Sequence, residues 1–171
     1  MIVKNTKKIE GEGIAVTGVA CNKSEAKITI CAVPDKPGVA AQIFSEIAAI
    51  GVNVDTIVQN VSHTRQTDIS FTVPKKDLDK ALKTANTIAK EIGAGEVVFD
   101  KNIARVSIVG SGMRTHSGVA AKMFQALAAK KINIEMISTS EISISCIIEE
   151  KHANAALEAV HKAFELEKGG R

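Results

Sequence analysis

"NVDTIVQN", residues 53–60, and "NIEMISTS", residues 133–140, stand eighty positions apart in the same surroundings. Extended outward, "GVAAQIFSEIAAIGVNVDTIVQN" (38–60) aligns without gaps on "GVAAKMFQALAAKKINIEMISTS" (118–140), and nine of the 23 positions are identical. Self-similarity at one fixed offset marks a duplicated supersecondary unit. A chain of 171 residues could form one domain on length alone, but the repeat predicts two smaller ones.

Around the first copy the pattern spells out a complete unit. "KITICAV" (27–33) alternates Ile28, Ile30 and Ala32 against Thr29, Cys31 and Val33, with the β-branched content of a strand. "PDKPG" ends it. Pro37 suits the first position of a helix, where a missing N–H costs nothing, and Val39, Ala40, Ile43, Phe44 and Ile47 follow at helical spacing. A second strand over roughly 52–60 is expected to turn Val52, Val54 and Val58 to the helices and Asn53, Asp55 and Gln59 to the other side. "TDISFTV" again alternates. Leu78, Ala81, Leu82, Ala85, Ile88, Ala89 and Ile92 then line one face of a helix that stops at Gly93, and "EVVFD" closes the unit. The order β-α-β-β-α-β predicts an α+β, ferredoxin-like unit: one antiparallel sheet with both helices on one face.

The second copy runs from "ARVSIVG" (104–110) through the helix of Val119, Ala120, Met123, Phe124 and Leu127, the strands "INIEMIS" and "EISISCII", and a helix carrying Leu157, Val160 and Phe164. It lacks a fourth strand, while "IAVTGVA" (14–20) is a strand without a partner in the first copy. The early strand therefore completes the second unit, so the first unit (27–100) is inserted into the second (14–20 plus 104–166). Residues 1–13 are polar and charged and are expected to be a linker or loose terminus, with 167–171 a tail.

Composition narrows the function classes. Hydrophobic residues make up 45% and charged residues 24%, enough to bury a core and no case for disorder. No apolar run approaches the roughly 18–20 residues of a membrane helix, and "MIVKNTKKIEGEG" has no stretch of signal-peptide length, which predicts a cytoplasmic protein without a membrane partner. The net charge of +3 is dispersed, and Tyr and Trp are both absent. That disfavours a nucleic-acid partner, which needs a basic patch or exposed stacking rings. Cys21, Cys31 and Cys146 form no C-x-x-C pair, and two of them lie in apolar runs, as buried, inert thiols do. His63, His116, His152 and His161 share no metal-ligand spacing, so no metal is expected.

The chemistry concentrates in "VPDKPG" and "NVDTIVQN". The helix near Pro37 aims free N–H groups and the positive end of its dipole at an anion. Asp35 suits an ammonium group, and the Asn53 and Gln59 amides both donate and accept hydrogen bonds. Carboxylate, ammonium and a polar side chain are the parts of a free amino acid. The same residues could be a helix cap, a turn and ordinary exposed strand positions. In "VGSGMRTHSGVAA", Gly110 and Gly112 between a strand and a helix suggest a nucleotide loop over 110–118. The sixth motif position is Thr115, however, and the paralogous loop "AVPDKPG" lacks the glycines and is two residues shorter, so a tight turn is the better reading. No nucleophile elbow or phosphate loop is present, and no catalytic residue is assigned.

"AVTGVA", "VPDKPGVAAQIF", "VNVDTIVQNVS", "TDISFTVPKKDL", "VSIVGSGMRTHSGVAAKMF", "INIEMISTSEISIS" and "ALEAVHKAF" together resemble the tandem ACT-domain regulatory part of aspartate kinase, over about residues 14–166. The resemblance implies feedback control by lysine, threonine or both, bound where ACT units of paired chains meet in a homodimer. It implies a first effector site of Asp35, Pro37, Gly38, Ala40, Asn53, Val54, Asp55 and Gln59, with Ser62 and Ser70 close by. A second would use Asn133, Ile134, Thr139, Ser140 and Glu141. It implies no cofactor, and an aspartate kinase catalytic domain or subunit as partner. The family's "KFGGTS"-like kinase start does not occur here, so this polypeptide is not expected to turn over ATP. It would be either a separately made small subunit or part of a longer chain. A purely structural dimerisation module and a nucleotide-binding enzyme are the alternatives.

Overall fold

The structure, a computed structural model, describes residues 2–4 (main chain only), 16–60, 65–111, 113 and 117–166. In chain order it forms β1 (Ile2–Lys4), β2 (Gly18–Asn22), β3 (Glu25–Pro34), α1 (Val39–Ala49), β4 (Ile57–Gln59), β5 (Gln66–Pro74), α2 (Leu78–Ile92) and β6 (Val97–Asp100). It continues with β7 (Ile103–Val109), α3 (Val119–Ala129), β8 (Met136–Thr139), β9 (Ser143–Glu149) and α4 (Ala153–Ala163). Two compact units result. Ser24–Lys101 forms one, and the segments up to Lys23 and from Asn102 onward form the other.

Both units are ferredoxin-like and α+β, with one inserted into the other. In the inserted unit the sheet order is β4-β5-β3-β6, antiparallel throughout. In the second it is β1-β2-β7-β9-β8, also antiparallel. There β2 takes the place of the missing fourth strand, pairing from Gly18↔Val109 to Asn22↔Arg105. The segment expected to be a linker carries β1, which pairs Ile2↔Ala20 to Lys4↔Gly18 and adds a fifth strand.

Each sheet buries one face under its own helices. Val39, Ile43 and Ile47, four residues apart, form the buried stripe of α1, and Leu78, Ala81, Ala85, Ile88, Ala89 and Ile92 that of α2. They close over Ile28, Ile30, Ile69 and Phe71, with Phe44 and Phe71 edge to face at 5.4 Å. Removing a side chain such as Ile43, which is fully enclosed, is worth ~2–5 kcal/mol. The second core repeats the plan with Val119, Met123 and Leu127 of α3 and Ala153, Ala156 and Val160 of α4 over Val106, Ile108, Ile144 and Cys146. α2 stops at Gly93, in the left-handed conformation at φ 70°, whose following N–H reaches back from Ala94 to the Ala89 carbonyl at 2.8 Å.

Three local readings need correction. Pro37 is not the first helical residue: Gly38 has φ 94°, which no helix admits, so α1 begins at Val39 and Pro37 stays in the turn before it. Second, β3 does not alternate to its end. Its register against β5 shifts between Ile30 and Val33, leaving Cys31 and Ala32 opposite Asp68 alone. Ala32 is left-handed at φ 50°, a conformation that costs an L-residue ~1–2 kcal/mol. This bulge reverses the phase, so Val33 is buried and Ala32 half-exposed, the opposite of the expected faces.

The third correction concerns 52–60, where only Ile57–Gln59 is regular strand. Asp55 donates its N–H to the Thr72 carbonyl at 3.2 Å, while Thr72 donates its own to Thr56 at 3.0 Å. Two residues again face one. Thr56, displaced from the ladder, donates its N–H to the Thr72 hydroxyl at 3.2 Å. Beyond this bulge Val58 pairs with Ser70 and Gln59 with Ile69. Paired residues share a face, so Gln59 turns to the helix side with the core residue Ile69, and Val58 turns away. The second copy repeats the device: Glu135 donates to the Ile147 carbonyl at 2.8 Å while Met136 pairs with the same Ile147.

Candidate functional site

The two bulges of the inserted unit converge on one cavity of about 320 Å3 at the start of α1, lined by Val33, Asp35, Pro37, Gly38, Ala40, Gln59 and Ile69, with Pro34, Lys36 and Val39 completing the wall. Val33, Val39 and Ile69 give it an apolar floor. The polar groups sit at the rim. Asp35, Lys36 and Gln59 are exposed, and Asp35 is held by its main chain, whose N–H donates to the Arg65 carbonyl at 2.9 Å. Gly38 stands just before α1 and gives it no side-chain cap. The Val39 N–H donates back to the Lys36 carbonyl at 3.5 Å, and the next N–H groups of the first turn, which precede the helical ladder, lie at the end of α1 that walls the cavity. A single site thus offers a helix-dipole anion subsite, a carboxylate, an ammonium group and an amide over an apolar base. Its volume lies at the small end of ligand pockets, which run from about 300 Å3.

Of the residues proposed for the first site, the cavity gathers Asp35, Pro37, Gly38, Ala40 and Gln59. Asn53, Val54 and Asp55 lie outside its lining, on the stretch between α1 and β4. Asn53 and Asp55 are exposed, and Val54 is half-buried against the core. Ser62 falls outside the described residues. Ser70 is on the face away from the helices, its hydroxyl 2.8 Å from that of Thr29. Lys36, Val33 and Ile69 were missed. Lys36 carried a signal in its place between Asp35 and Pro37, and Ile69 follows from the alternation of β5, but the aim of Val33 depends on the first bulge.

The second set is more dispersed. Asn133 and Ile134 precede β8, Thr139 ends it, and Ser140 and Glu141 form the turn into β9. Ser140 is committed to that turn: its N–H donates to the Ser143 carbonyl at 2.8 Å, and its hydroxyl is 2.8 Å from the Ser143 hydroxyl. Gly112 and 114–116 of the facing loop lie outside the described residues. Gly110 donates its N–H to the Ile142 carbonyl at 2.9 Å, and Gly118, at φ 89°, immediately precedes α3. The nucleotide reading of this loop requires a parallel sheet, and here β7 pairs antiparallel on both sides.

Cysteine chemistry is muted. Burial pushes the Cys146 thiol up to about 12. Burial, then the nearby carboxylates of Asp68 and Glu96, raise that of Cys31. Among the described residues no cluster of His, Cys, Asp or Glu could hold a metal ion, and no helix is long and apolar enough to cross a membrane.

Fold and cavity together define a duplicated ferredoxin-like module with a recess sized for a small molecule in one copy. The chain belongs to the ACT-domain family, whose profile matches residues 32–87 and 106–164, one stretch in each unit. It is 55% identical over 152 residues to an aspartate kinase of Stutzerimonas stutzeri, covering 89% of this chain and 37% of that relative's length. Among solved structures it is 46% identical to the regulatory subunit of aspartate kinase from Thermus thermophilus, in its ligand-free form. That match has a TM-score of 0.83 and covers 88% of this chain and 99% of that one. A structure of aspartokinase alpha and beta subunits matches at 48% identity and a TM-score of 0.82, over 88% and 99% of the two chains. What the chain corresponds to is the regulatory ACT part of aspartate kinase, and the matched stretch of the longer enzymes excludes their kinase domain.

Proposed function

We propose that this chain senses end-product amino acids, lysine and/or threonine, and transmits feedback inhibition to an aspartate kinase catalytic domain or subunit in the cytoplasm. The cavity at the start of α1 carries this reading. In it the α-carboxylate of the effector meets the uncapped first turn and Lys36, its ammonium group meets Asp35, and Gln59 reads its side chain. Asn53, Val54 and Asp55 lie on the exposed approach to β4, and in this proposal they complete the site when a second chain pairs with the unit. Asn133, Ile134, Thr139, Ser140 and Glu141 would serve a second, related site.

An effector biases the attached catalytic domain only through its different affinity for two arrangements of the dimer, typically ~1–3 kcal/mol of coupling. Calorimetric titration with lysine and threonine, singly and together, is the test. Saturable heat and a raised melting temperature are expected from at least one of them. Silence from both, in a chain shown to be folded, would sink the sensor reading and leave a structural dimerisation module.

A further inference from the structure

We propose that Asp68 is a positioning residue for the effector cavity, acting through the main chain of Ala32 without touching the ligand; the inference rests on the sensor reading above. At the β3 bulge the Cys31 peptide is already occupied. Its N–H donates to the Glu96 carbonyl at 2.9 Å, and its carbonyl accepts from the Gly95 N–H at 2.8 Å. The Ala32 N–H, rotated out of the ladder by a φ of 50°, goes instead to Asp68 Oδ1 at 2.9 Å. Asp68 is the single β5 residue opposite the two bulged ones, so its carboxylate replaces the carbonyl that a regular strand would have supplied.

The consequence falls on the cavity. A left-handed residue bearing a Cβ persists only where its surroundings compensate; the main-chain bonds of Cys31 brace one side of the bulge, and the charge-assisted bond to Asp68 is the side-chain contribution. With the bulge fixed, Val33 enters the cavity floor and Asp35 reaches the rim. With β3 relaxed to regular alternation, Val33 would turn to the other face. The second unit supplies the contrast. There β7 pairs with β9 in unbroken register as far as Val109↔Ser143, and Ser143, at the place matching Asp68, uses its hydroxyl on Ser140. A hydroxyl thus stands where the inserted unit carries the carboxylate.

The test compares D68A and D68N in the full chain, titrated calorimetrically with lysine and threonine, with amide hydrogen exchange followed at Ala32, Val33 and Asp35. D68A should bind the effector roughly tenfold more weakly and exchange faster at Ala32, the scale of one lost hydrogen bond to a charged group. D68N keeps a carbonyl oxygen at the same place and should stay within about threefold of the parent, since a neutral acceptor retains most of the geometry. A purely fold-stabilising role predicts losses in melting temperature without this rescue of affinity. D68A binding as tightly as the parent, or D68N failing as badly as D68A, would overturn the inference while the parent still binds. A parent that binds neither amino acid would remove the sensor reading itself, and this inference with it.

Discussion

Thr29 Oγ1 lies 2.8 Å from Ser70 Oγ across β3 and β5, and Ser107 and Ser145 repeat the contact at 2.7 Å across β7 and β9. Both pairs are directly opposite in register. They stand on the face away from the helices, because their strand neighbours Ile28, Ile30, Ile69 and Phe71, and Val106, Ile108, Ile144 and Cys146, fill the cores. The duplication has thus preserved a polar cross-strand contact as well as an apolar pattern. Half-buried hydroxyls in such a position satisfy one another where water reaches them poorly.

Ser70→Ala should therefore cost ~0.5–1.5 kcal/mol, the worth of one hydrogen bond whose partner is left behind. Combined with Thr29→Val in a double-mutant cycle, it should show a coupling of ~0.5–1 kcal/mol by urea denaturation. Strictly additive single effects would mean that the two hydroxyls contribute nothing to each other.

Gly38→Ala and Gly118→Ala test the helix starts. An added Cβ would meet nothing within 4 Å at either place, so no steric collision obscures the result. What remains is the backbone itself, at φ 94° and 89°, where an L-residue pays ~1–2 kcal/mol. Equal losses of that size in both variants are expected from chemical denaturation. Two neutral substitutions would show that the chain does not hold these torsions.

The sequence made the duplication and its helices legible because both rest on apolar periodicity, and apolar side chains have nowhere else to go. Ile43 and Met123, or Ile47 and Leu127, occupy matching buried places eighty residues apart. Gly93 and the unpaired strand near residue 18 were readable for similarly local reasons. The bulges were not. A bulge often advertises itself by a glycine at its left-handed position, and here that position is Ala32. At the second bulge Asp55 and Thr56 look like any strand residues. Alternation was therefore carried straight through both. It put Gln59 beside Asn53 and Asp55 on the wrong face, and it turned Val33 away from the cavity.

Cys146 provides a pH test. Its thiol is fully enclosed, and burial holds its pKa at about 12, against ~8.5 for a free cysteine. Between these values the unfolded chain has lost a proton that the folded chain keeps, so stability falls as pH rises, beginning near the unfolded value and continuing through the folded one. Below about pH 8 the thiol adds no pH dependence. Cys146→Ala should fall less steeply than the parent in urea midpoints taken above pH 9, and native Cys146 should resist alkylation at pH 8. Rapid labelling of Cys146 in the folded protein would contradict the burial.

Gln59 and Val58 are neighbours on one short strand and predict opposite outcomes. The bulge at Asp55 and Thr56 sends Gln59 to the cavity with Ile69 and Val58 to the far face with Ser70. Gln59 is exposed and belongs to neither core, so Gln59→Ala should leave the melting temperature of the free protein nearly unchanged. It should weaken amino-acid binding about five- to twentyfold, the loss of one or two side-chain hydrogen bonds to a small polar ligand. Val58→Ala should leave binding near the parent value. If the strand instead ran with unbroken alternation, the pattern would invert, with Val58 toward the helices and Gln59 remote from the cavity. Titrating both variants with the same amino acid therefore tests, in one comparison, the second bulge and the place of the ligand.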